Sequence, residues 1–526
     1  MNLLHGARAR AQAAWRGLEH RFDAVFGAAA NPLRHLGALG TGLFWALALS
    51  GIYLYAVFDT SASGAWRSID ALSREPRSAG GLLRSLHRYA ADAFVVVLLL
   101  HLVHEWLFGR HAGFRRFSWL TGVPLLPLAF VGGIGGFWLN WDRLGQYSAL
   151  ATAEWLDVLR LFAAPLARNF LGVASVGDRL FSLFVFVHIG ASLLLAFGLW
   201  FHLQRVSRAE VFPARSLAFG SAVALLALAF GAPVRSQPPA DLSSVAATLP
   251  LDWLLLFIHP LAQAVSGEVT WVLLALALAL LFALPFLPRR VPAAPVAHVD
   301  PLNCNGCRRC FDDCPYAAIT MVPHPGGRAG RQLAEVAAER CASCGICAGA
   351  CPSSTPFRGI ETLVTGIDMP QLPIDALRRR LRDGLASLQG AHRFVVFGCD
   401  PGARVDALAA PDVYTASLIC TGMLPPSFIE YALRHGADGV LVTSCRDGGC
   451  EFRLGARWID QRLSGRREPH LRDSAAHERW RLVSADAGEE AALAAALDEL
   501  RCNVSRHAPA PDASAPTGVA GAGASR

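Results

Sequence analysis

Long apolar blocks dominate the first half of the chain, and short segments of mixed polarity dominate the second half. Spanning a hydrocarbon core of roughly 30 Å takes about 20 mostly apolar helical residues. Six blocks reach that length, at about 36–58, 88–108, 118–139, 180–203, 215–233 and 268–287. The pattern predicts an all-α membrane helix bundle of six spans, followed by a soluble part.

The soluble part reads as two further domains. Runs typical of strands, HRFVVFG and DGVLVTS, alternate with helical runs such as PPSFIEYALRHGA, which indicates a small α/β domain. The full prediction is an amphipathic cytoplasmic segment at 1–35, the membrane domain at 36–290, a Pro/Ala linker at 291–301, a cysteine-rich domain at 302–365, the α/β domain at 373–473 and a C-terminal extension at 474–526 with a disordered end.

Charge and cysteine usage narrow the location and the partners. The net charge of +7 is scattered, and no basic run with interleaved aromatics indicates nucleic acid. All 13 cysteines follow the membrane part. The soluble part that carries them is therefore predicted to lie in a reducing compartment. The first residues contain no apolar core of signal-peptide type. We therefore expect a bacterial-type inner (cytoplasmic) membrane protein with both termini in the cytoplasm.

Histidines recur at one spacing in two of the apolar blocks. His87 and His101 lie 14 residues apart, as do His188 and His202. Fourteen helical steps return to nearly the same face about 21 Å further along. Side-by-side packing of the two helices would place His87 opposite His188 and His101 opposite His202, and two facing imidazoles are the ligands of a six-coordinate haem. The alternative for any single one of them, and the expectation for His104, is a partnered interfacial histidine.

Glycines repeat the same spacing in the other two blocks. Bulky macrocycles between helices require close backbone approach, which glycine permits. The pairs are Gly37 with Gly51 in the first block and Gly122 with Gly136 in the third. One period shared by four helices favours two stacked haems.

With these pairs and the amphipathic N-terminal segment, the first half resembles the cytochrome b family of quinol-oxidising bc and bf complexes. The resemblance implies two b haems, with His87 and His188 nearer the outer surface and His101 and His202 nearer the cytoplasm. It also implies a quinone site and a possible dimer. Leu251-Asp252-Trp253-Leu254 is similar to the family's Pro-Glu-Trp-Tyr motif, so Asp252 would accept the quinol proton; the alternative is a helix cap. Asn140-Trp141-Asp142-Arg143 is similar to Pro-Trp-Gly-Gln.

Two cysteine clusters share the pattern C-x2-C-x2-C-x3-C-P. This is the bacterial two-cluster ferredoxin spacing, in which three thiolates bind one [4Fe-4S] cluster and the fourth reaches the other. It predicts a bacterial ferredoxin-like α+β domain at 302–365. A zinc site is the alternative. The predicted ligands are Cys304, Cys307, Cys310 and Cys351 (the first cysteine set) and Cys341, Cys344, Cys347 and Cys314 (the second cysteine set).

Four more cysteines, Cys399, Cys420, Cys445 and Cys450 (the four-cysteine site), follow the predicted strands of the α/β domain. Ligands converge at strand ends in such domains, and four thiolates suffice for one [2Fe-2S] cluster, whereas the alternative is buried structural cysteine. The segment from Ser417 to Phe452 resembles the delta subunit family of methyl-viologen-reducing hydrogenases. The resemblance implies electron transfer between a dehydrogenase and a heterodisulfide-reductase-like flavoprotein. Asp400 and Glu451 stand where that family commonly has Cys and His. Cys502 receives no role.

Together these features predict a one-electron path from the membrane to a soluble surface. No Gly-rich strand-turn-helix fingerprint for NAD or flavin occurs, so hydride chemistry belongs to a partner. The leading hypothesis is an electron-transfer subunit that links the quinone pool to a cytoplasmic dehydrogenase or flavoprotein. Two alternatives are a redox-sensing or scaffold protein, and electron transfer to an outer-side protein acceptor instead of quinone.

Overall fold

A computed structural model describes residues 2–170, 176–204, 206, 208–244, 248–287, 295–326, 330–359, 361–472 and 477–507. The start of the predicted linker, 291–294, and the low-complexity end, 508–526, lie outside the described residues. The chain divides into two compact units, residues 1–294 with 315–317 and residues 295–314 with 318–526. The first unit holds the apolar blocks and the second holds the cysteines.

The first unit is helical throughout its described elements. Its helices are α1 Asn2–Phe26, α2 Leu36–Val57, α3 Ala65–Arg74, α4 Ala79–Leu107, α5 Arg116–Gly122, α6 Leu125–Asn140, α7 Arg143–Asp157, α8 Asp178–His202, α9 Arg215–Gly231, α10 Ile258–Val265 and α11 Gly267–Ala283. Helix α2 packs on α4, and α6 packs on α8. Apolar side chains of these four helices form one core, with Phe94 of α4 and Leu125 of α6 among its buried members.

Among the described residues, five helical segments are long and apolar enough to cross a membrane: Leu36–Val57, Ala79–Leu107, Gly113–Asn140, Asp178–His202 and Gly267–Phe286. The predicted span at 215–233 is the shorter helix α9, whose 17 residues reach only about 26 Å at 1.5 Å per residue. A bundle with membrane-capable helices is confirmed, but six full spans are not.

Two spans differ from their predicted bounds for local reasons. Helix α4 begins nine residues before the apolar block, at Ala79, because the Ser78 hydroxyl caps it by accepting from the Gly81 amide at 3.2 Å. Its first turns carry Arg84, a buried side chain that donates to Ser236 at 3.0 Å. The third span divides into α5 and α6 at Pro124, which has no amide hydrogen to continue a helix.

The described part of the second unit contains three β-sheets. Its helices are α12 Arg309–Asp313, α13 Ile346–Ala350, α14 Ile374–Ser387, α15 Ser427–Arg434, α16 Gly455–Leu463 and α17 Glu490–His507. Its strands are β1 His298–Val299, β2 Ile319–Pro323, β3 Gln332–Val336, β4 Ile367–Asp368, β5 Phe394–Cys399, β6 Val413–Leu418, β7 Gly439–Ser444 and β8 Trp480–Ser484. In the cysteine-rich part β1 pairs with β4 and β2 with β3, both antiparallel.

A four-stranded parallel sheet, in the order β6-β5-β7-β8, forms the α/β part. The central strands β5 and β7 are buried along their whole length, as expected of a parallel sheet covered on both faces. Strand β8 and helix α17 complete this sheet and its core, although the sequence places them in the C-terminal extension beyond residue 473. Parallel pairing aligns the carboxyl ends of β5, β6 and β7 on one edge.

Candidate metal centres

The ring of His87 on α4 lies next to that of His188 on α8, with centroids 6.3 Å apart and ring planes at 63° to each other. Metal-imidazole bonds of about 2.0 Å, plus roughly 1.1 Å from each nitrogen to its ring centre, give about 6 Å between centroids for an iron held by two histidines. The spacing therefore fits a six-coordinate haem iron between these two rings. Fourteen residues further along each helix, His101 and His202 are also close enough for their charges to interact.

The hydrogen bond to His87 identifies which ring nitrogen is free for a metal. Ser50 on α2 lies 2.9 Å from Nδ1 of His87, and its hydroxyl already donates to the carbonyl oxygen of Ala46 at 2.6 Å. Nδ1 of His87 must therefore be the donor to Ser50. That tautomer leaves Nε2 unprotonated, which is the form that binds iron.

The four predicted haem ligands, His87, His101, His188 and His202, are called the histidine frame below. Two more of its members have the same tautomer as His87. Thr121 lies 3.1 Å from Nδ1 of His202 and uses its own proton on a backbone carbonyl, and Nδ1 of His188 donates to the carbonyl oxygen of Gly132 at 2.8 Å. Within the described chain the structure records no ring hydrogen bond for His101. Three of the four rings are thus oriented by partners that leave Nε2 free.

The four predicted glycines lie against these four rings. A Cβ atom built on each glycine would approach a histidine Cε1: at 3.2 Å for Gly51 and His87, 3.2 Å for Gly136 and His188, 3.1 Å for Gly122 and His202, and 3.6 Å for Gly37 and His101. The first three distances are tighter than ordinary contact, whereas the fourth is ordinary. The sequence predicted that the glycines make room for the macrocycle. The structure shows that they make room for the ligand rings.

We expect Gly136→Ala to displace the His188 ring and to weaken haem binding at that level. The added methyl group would press on a ring that Gly132 holds from one side, and a misplacement of a few tenths of an ångström matters for a bond of about 2.0 Å. Gly190→Ala is the matched control, because its Cβ meets nothing within 4 Å on the same α8 helix that carries His188. Haem content and the visible spectrum measure the effect; equal spectra for the two variants would contradict it.

Asp252, the predicted proton acceptor, is fully engaged in the structure. Its Oδ1 accepts from the amides of Leu254 at 3.0 Å and Leu255 at 2.7 Å, and its Oδ2 pairs with Arg88, the residue after His87. It caps a single turn and not helix α10, which begins later at Ile258. Arg88 also pairs with Asp92. The structure thus places the carboxylate near the His87 end of the frame, and both of its oxygens have partners.

Sequence reasoning missed a buried histidine close to this turn. His259 on α10 is 1% exposed, with Nε2 at 3.1 Å from the Ser148 hydroxyl and Nδ1 without a hydrogen-bond partner among the described residues. Burial lowers the pKa of His259 to about 4, so the ring is neutral at physiological pH. A polar residue inside the run LLLFIHPL was the signal that could have found it.

The Asn140–Arg143 segment has a structural role in the fold. Trp141 adopts a left-handed conformation (φ 44°) and packs edge-on against Phe181, with ring centroids 5.2 Å apart. Asp142 is buried and caps helix α7 by accepting from the Gly145 amide at 2.9 Å. Its second oxygen accepts from the Gln237 amide at 3.2 Å, which ties the chain after α9 to this end of the bundle.

His104 lies outside the frame, as predicted. Its ring packs on Trp15 of α1 and on Phe108, with centroids 5.4 Å and 4.8 Å away, and its Nδ1 lies 3.0 Å from a carboxylate oxygen of Glu105. These contacts join α1 to the end of α4.

The first cysteine set lines one small pocket in the second unit, to which Cys304, Cys307, Cys310 and Cys351 all contribute. Burial raises the pKa of Cys310 to about 12, and the other three thiols of the set are the charges that raise it further. Cys351 is thus grouped with the earlier cysteines although it follows them by more than 40 residues. Cys307 is exposed, so this set reaches the surface.

The second cysteine set gathers in the same way around helix α13. Burial raises the pKa of Cys344 to about 12, and Cys314 and Cys341 are its neighbouring thiols. Cys347 has the same neighbours together with Cys310 of the first set, so the two sets adjoin. Each set therefore contains the crossed-over fourth cysteine, as a pair of [4Fe-4S] clusters requires.

The four-cysteine site lies at the carboxyl edge of the parallel sheet. Cys399 ends β5, Cys420 follows β6 and Cys445 follows β7, while Cys450 comes from the next loop. The Sγ atoms of Cys399 and Cys445 are 3.8 Å apart, which is about the separation of two thiolates on one tetrahedral metal with 2.3 Å bonds. The arrangement fits a metal-thiolate site better than four separate packed cysteines.

The close approach of these four sulfurs shifts the pKa values of their thiols in opposite directions. Thiol hydrogen bonds from Cys420 and Cys445 lower the pKa of Cys399 to about 4, and the same two donors lower the pKa of Cys450. The pKa values of Cys420 and Cys445 are raised correspondingly, because their protons are held by the neighbouring sulfurs. Metal binding would displace these protons.

The four-cysteine site and the second cysteine set share one buried cluster. Cys344 and Ile346 pack with Cys399, Cys420 and Cys445 in it. Gly455, at the start of α16, permits this approach, because a Cβ there would lie 2.2 Å from the Cys420 sulfur and 3.7 Å from Ile346. The fold thus places two predicted ligand sets side by side. Cys502 lies apart, exposed on α17.

Three segments of the chain match known protein families. Residues 29–209 match the cytochrome b/b6/petB family, residues 303–355 the 4Fe-4S dicluster domain, and residues 398–506 the methyl-viologen-reducing hydrogenase delta subunit family. Among solved structures, a chain of a hyperthermophilic respiratory Complex III is similar at 19% identity, over 48% of this chain and 75% of that chain, with a TM-score of 0.39.

The three matches confirm the resemblances and their order along the chain. A cytochrome b segment implies haem b, and a dicluster segment implies iron-sulfur clusters. The chain therefore carries a cytochrome b segment, a 4Fe-4S dicluster domain and a segment of the hydrogenase delta subunit family, and it is a membrane electron-transfer subunit.

Proposed function

We propose that the chain moves single electrons between the quinone pool and a soluble dehydrogenase or heterodisulfide-reductase-like flavoprotein. The groups it would hold are two b haems, two [4Fe-4S] clusters and one [2Fe-2S] cluster, all of which exchange one electron at a time when bound. The observation that carries the proposal is the 6.3 Å distance between the ring centroids of His87 and His188, which is the spacing of a two-histidine iron site.

The histidine frame fits electron transfer and not gas chemistry. His87 and His188 would hold one haem, and His101 and His202 the other, and a haem held by two histidines would supply one-electron exchange and not gas binding. Ser50, Thr121 and the Gly132 carbonyl hold three of the rings in place. Rings held in place in this way would favour rapid exchange of an electron by a bound haem.

In the second unit, adjacency supports one order of electron transfer. The first cysteine set has the exposed Cys307 and adjoins the second set through Cys310 and Cys347. The second set shares its buried cluster with the four-cysteine site. Electrons would therefore pass between the first set and the four-cysteine site through the second set, and the sheet edge would exchange them with the partner.

Two groups near the His87 end support a quinone site there. Quinol oxidation releases two protons with its two electrons, so the site needs an acceptor. Asp252 offers a carboxylate paired with Arg88, and His259 offers a neutral ring nitrogen without a partner in the described structure. If this end faces the outer side, electron transfer across the membrane is coupled to the membrane potential, at about 2.3 kcal/mol per charge per 100 mV.

Turnover with a quinone tests the function. The complex is purified with its co-purifying subunits, a soluble quinone analogue is added with the partner's substrate, and haem redox state is followed by absorbance. We expect sustained turnover and reversible haem reduction. Haems that never respond to quinone would favour a protein acceptor, and a single reduction without turnover would favour a redox sensor.

In the same assay we expect Asp252→Asn to lower the rate about a hundredfold or more, the usual contribution of a positioned proton acceptor. Asparagine can still accept the amide hydrogen bonds of the turn, so the substitution isolates the charge. Asp92→Asn is the matched control, because Asp92 pairs with the same Arg88 guanidinium. An unchanged rate in Asp252→Asn would remove this carboxylate from the reaction and leave His259 as the candidate acceptor.

A further inference from the structure

Arg462, on helix α16, is a cation enclosed within the second unit. Its side chain is 0% exposed, Nη1 donates to the carbonyl oxygen of Gly422 at 2.7 Å, and Nη2 donates to Oδ2 of Asp313 at 2.5 Å. Nη2 also lies 3.4 Å from the carbonyl oxygen of Ile346. Enclosing a cation costs several kcal/mol unless it is paired and hydrogen-bonded. The position of this enclosed cation is therefore informative.

That place lies between two predicted ligand sets. The three groups that hold the guanidinium are neighbours of cluster cysteines in the chain: Asp313 precedes Cys314, Ile346 precedes Cys347, and Gly422 follows Cys420 by two residues. Arg462 also interacts electrostatically with the Cys420 sulfur itself. A single side chain thus joins the second cysteine set to the four-cysteine site.

The local charges do not cancel. Asp313 is 2% exposed and pairs with Arg467 as well, at 2.5 Å from its Nη1. Arg467 stacks over the Trp458 ring, with its guanidinium carbon 3.5 Å from the ring centre. One carboxylate between two guanidinium groups leaves a net charge of +1. The enclosed member of the pair is the one that reaches the four-cysteine site.

One donor of Arg462 is unused. Its Nε is buried and has no hydrogen-bond partner within the described residues. Buried donors are almost always satisfied in native proteins. A bound cluster adds sulfur acceptors close to Cys420, and hydrogen bonds to cluster sulfurs are one of the factors that set a reduction potential.

We propose that Arg462 raises the reduction potential of the cluster in the four-cysteine site. The inference rests on the proposed function, since it takes these cysteines as ligands of a [2Fe-2S] cluster. Four thiolates, two sulfides and two Fe(III) carry a net charge of −2, which becomes −3 when one electron reduces one iron; no bond or proton moves. A fixed cation in a low-dielectric interior stabilises the more negative state.

The test is a redox titration of the full chain in its complex, followed by electron paramagnetic resonance of the reduced [2Fe-2S] signal. We expect Arg462→Met to lower the ratio of reduced to oxidised cluster at a fixed potential about tenfold, which corresponds to about 59 mV for one electron. Arg462→Lys keeps the charge and should stay close to the wild type. Arg467→Met, which removes the partly exposed guanidinium of the same pair, should shift the ratio less.

Several outcomes would overturn the inference. They are an Arg462→Met variant with full iron content and an unchanged ratio, an Arg462→Lys variant shifted as far as Arg462→Met, or an equal shift in Arg467→Met. Should Arg462→Met fail to assemble, Asp313→Asn tests the opposite sign, because losing the carboxylate increases the positive charge; a lower or unchanged potential would then contradict us. Absence of any [2Fe-2S] signal in the wild type would instead refute the proposed cofactor.

Discussion

His188→Leu should leave the purified protein with one b haem in place of two. Leucine fills much of the volume of the histidine but offers no nitrogen, so a haem held by His87 and His188 would lose one of its two histidine ligands. The other level, with His101 and His202, lies about 21 Å away along the helices and keeps its own ligands. Haem extraction and the reduced-minus-oxidised spectrum would show the loss of about half of the haem.

Double variants test the pairing of the ligands. Because His87 and His188 would hold the same iron, His87→Leu with His188→Leu should lose no more haem than His188→Leu alone. His101→Leu with His188→Leu removes a ligand from each level and should lose both haems. His104→Leu is the control that should keep both, since His104 packs against Trp15 outside the frame. If the two doubles lose equal amounts of haem, the pairing is wrong.

A folding defect is distinguished by rescue. In His188→Gly the cavity left by the ring can take free imidazole, which restores the missing nitrogen without the side chain. Recovery of the second haem with added imidazole shows that the helix bundle is intact and that only the ligand was missing. If neither His188→Leu nor His188→Gly gives an assembled helix bundle, while His104→Leu does, His188 supports the bundle and not the iron.

The spacing of residues explains why the histidine frame could be predicted from sequence. A helix repeats its faces, so two histidines 14 residues apart must share a side whatever the rest of the chain does. The same holds for Gly51 and Gly37 on α2. Thiolate spacing is equally local, because C-x2-C-x2-C can bend around a cluster within a few residues. These signals depend on backbone geometry that tertiary packing does not change.

Tertiary contacts between distant segments could not be predicted in this way. Arg462 meets Asp313 across 149 residues, and His259 meets Ser148 across 111, and neither pair shares a motif. The engagement of Asp252 with Arg88 likewise depends on where α4 lies. The shortness of α9 is a local property, but its apolar composition extended the predicted span beyond the point at which the helix ends at Gly231.

Cys351→Ser should remove the [4Fe-4S] cluster of Cys304, Cys307 and Cys310 and spare the cluster of Cys341, Cys344 and Cys347, which precede Cys351 closely in sequence. The reason is the crossover: the structure groups Cys351 with the earlier cysteines around one pocket. A serine hydroxyl is a poor substitute for a thiolate ligand, so we expect about four irons fewer per chain. Iron and acid-labile sulfide, measured against protein, give the stoichiometry.

Iron content alone does not show which cluster is lost, so pairs of variants are needed. Cys304→Ser with Cys351→Ser should lose no more iron than either single variant, because both residues would serve one cluster. Cys344→Ser with Cys351→Ser should lose both clusters, about eight irons. The reciprocal pair, Cys314→Ser with Cys344→Ser, should again lose only one. Cys502→Ser is the control, since this exposed cysteine lies apart from all three sets. Loss of both clusters in the Cys304 and Cys351 double variant, with only one lost in the Cys344 and Cys351 pair, would show that each motif keeps its own fourth cysteine.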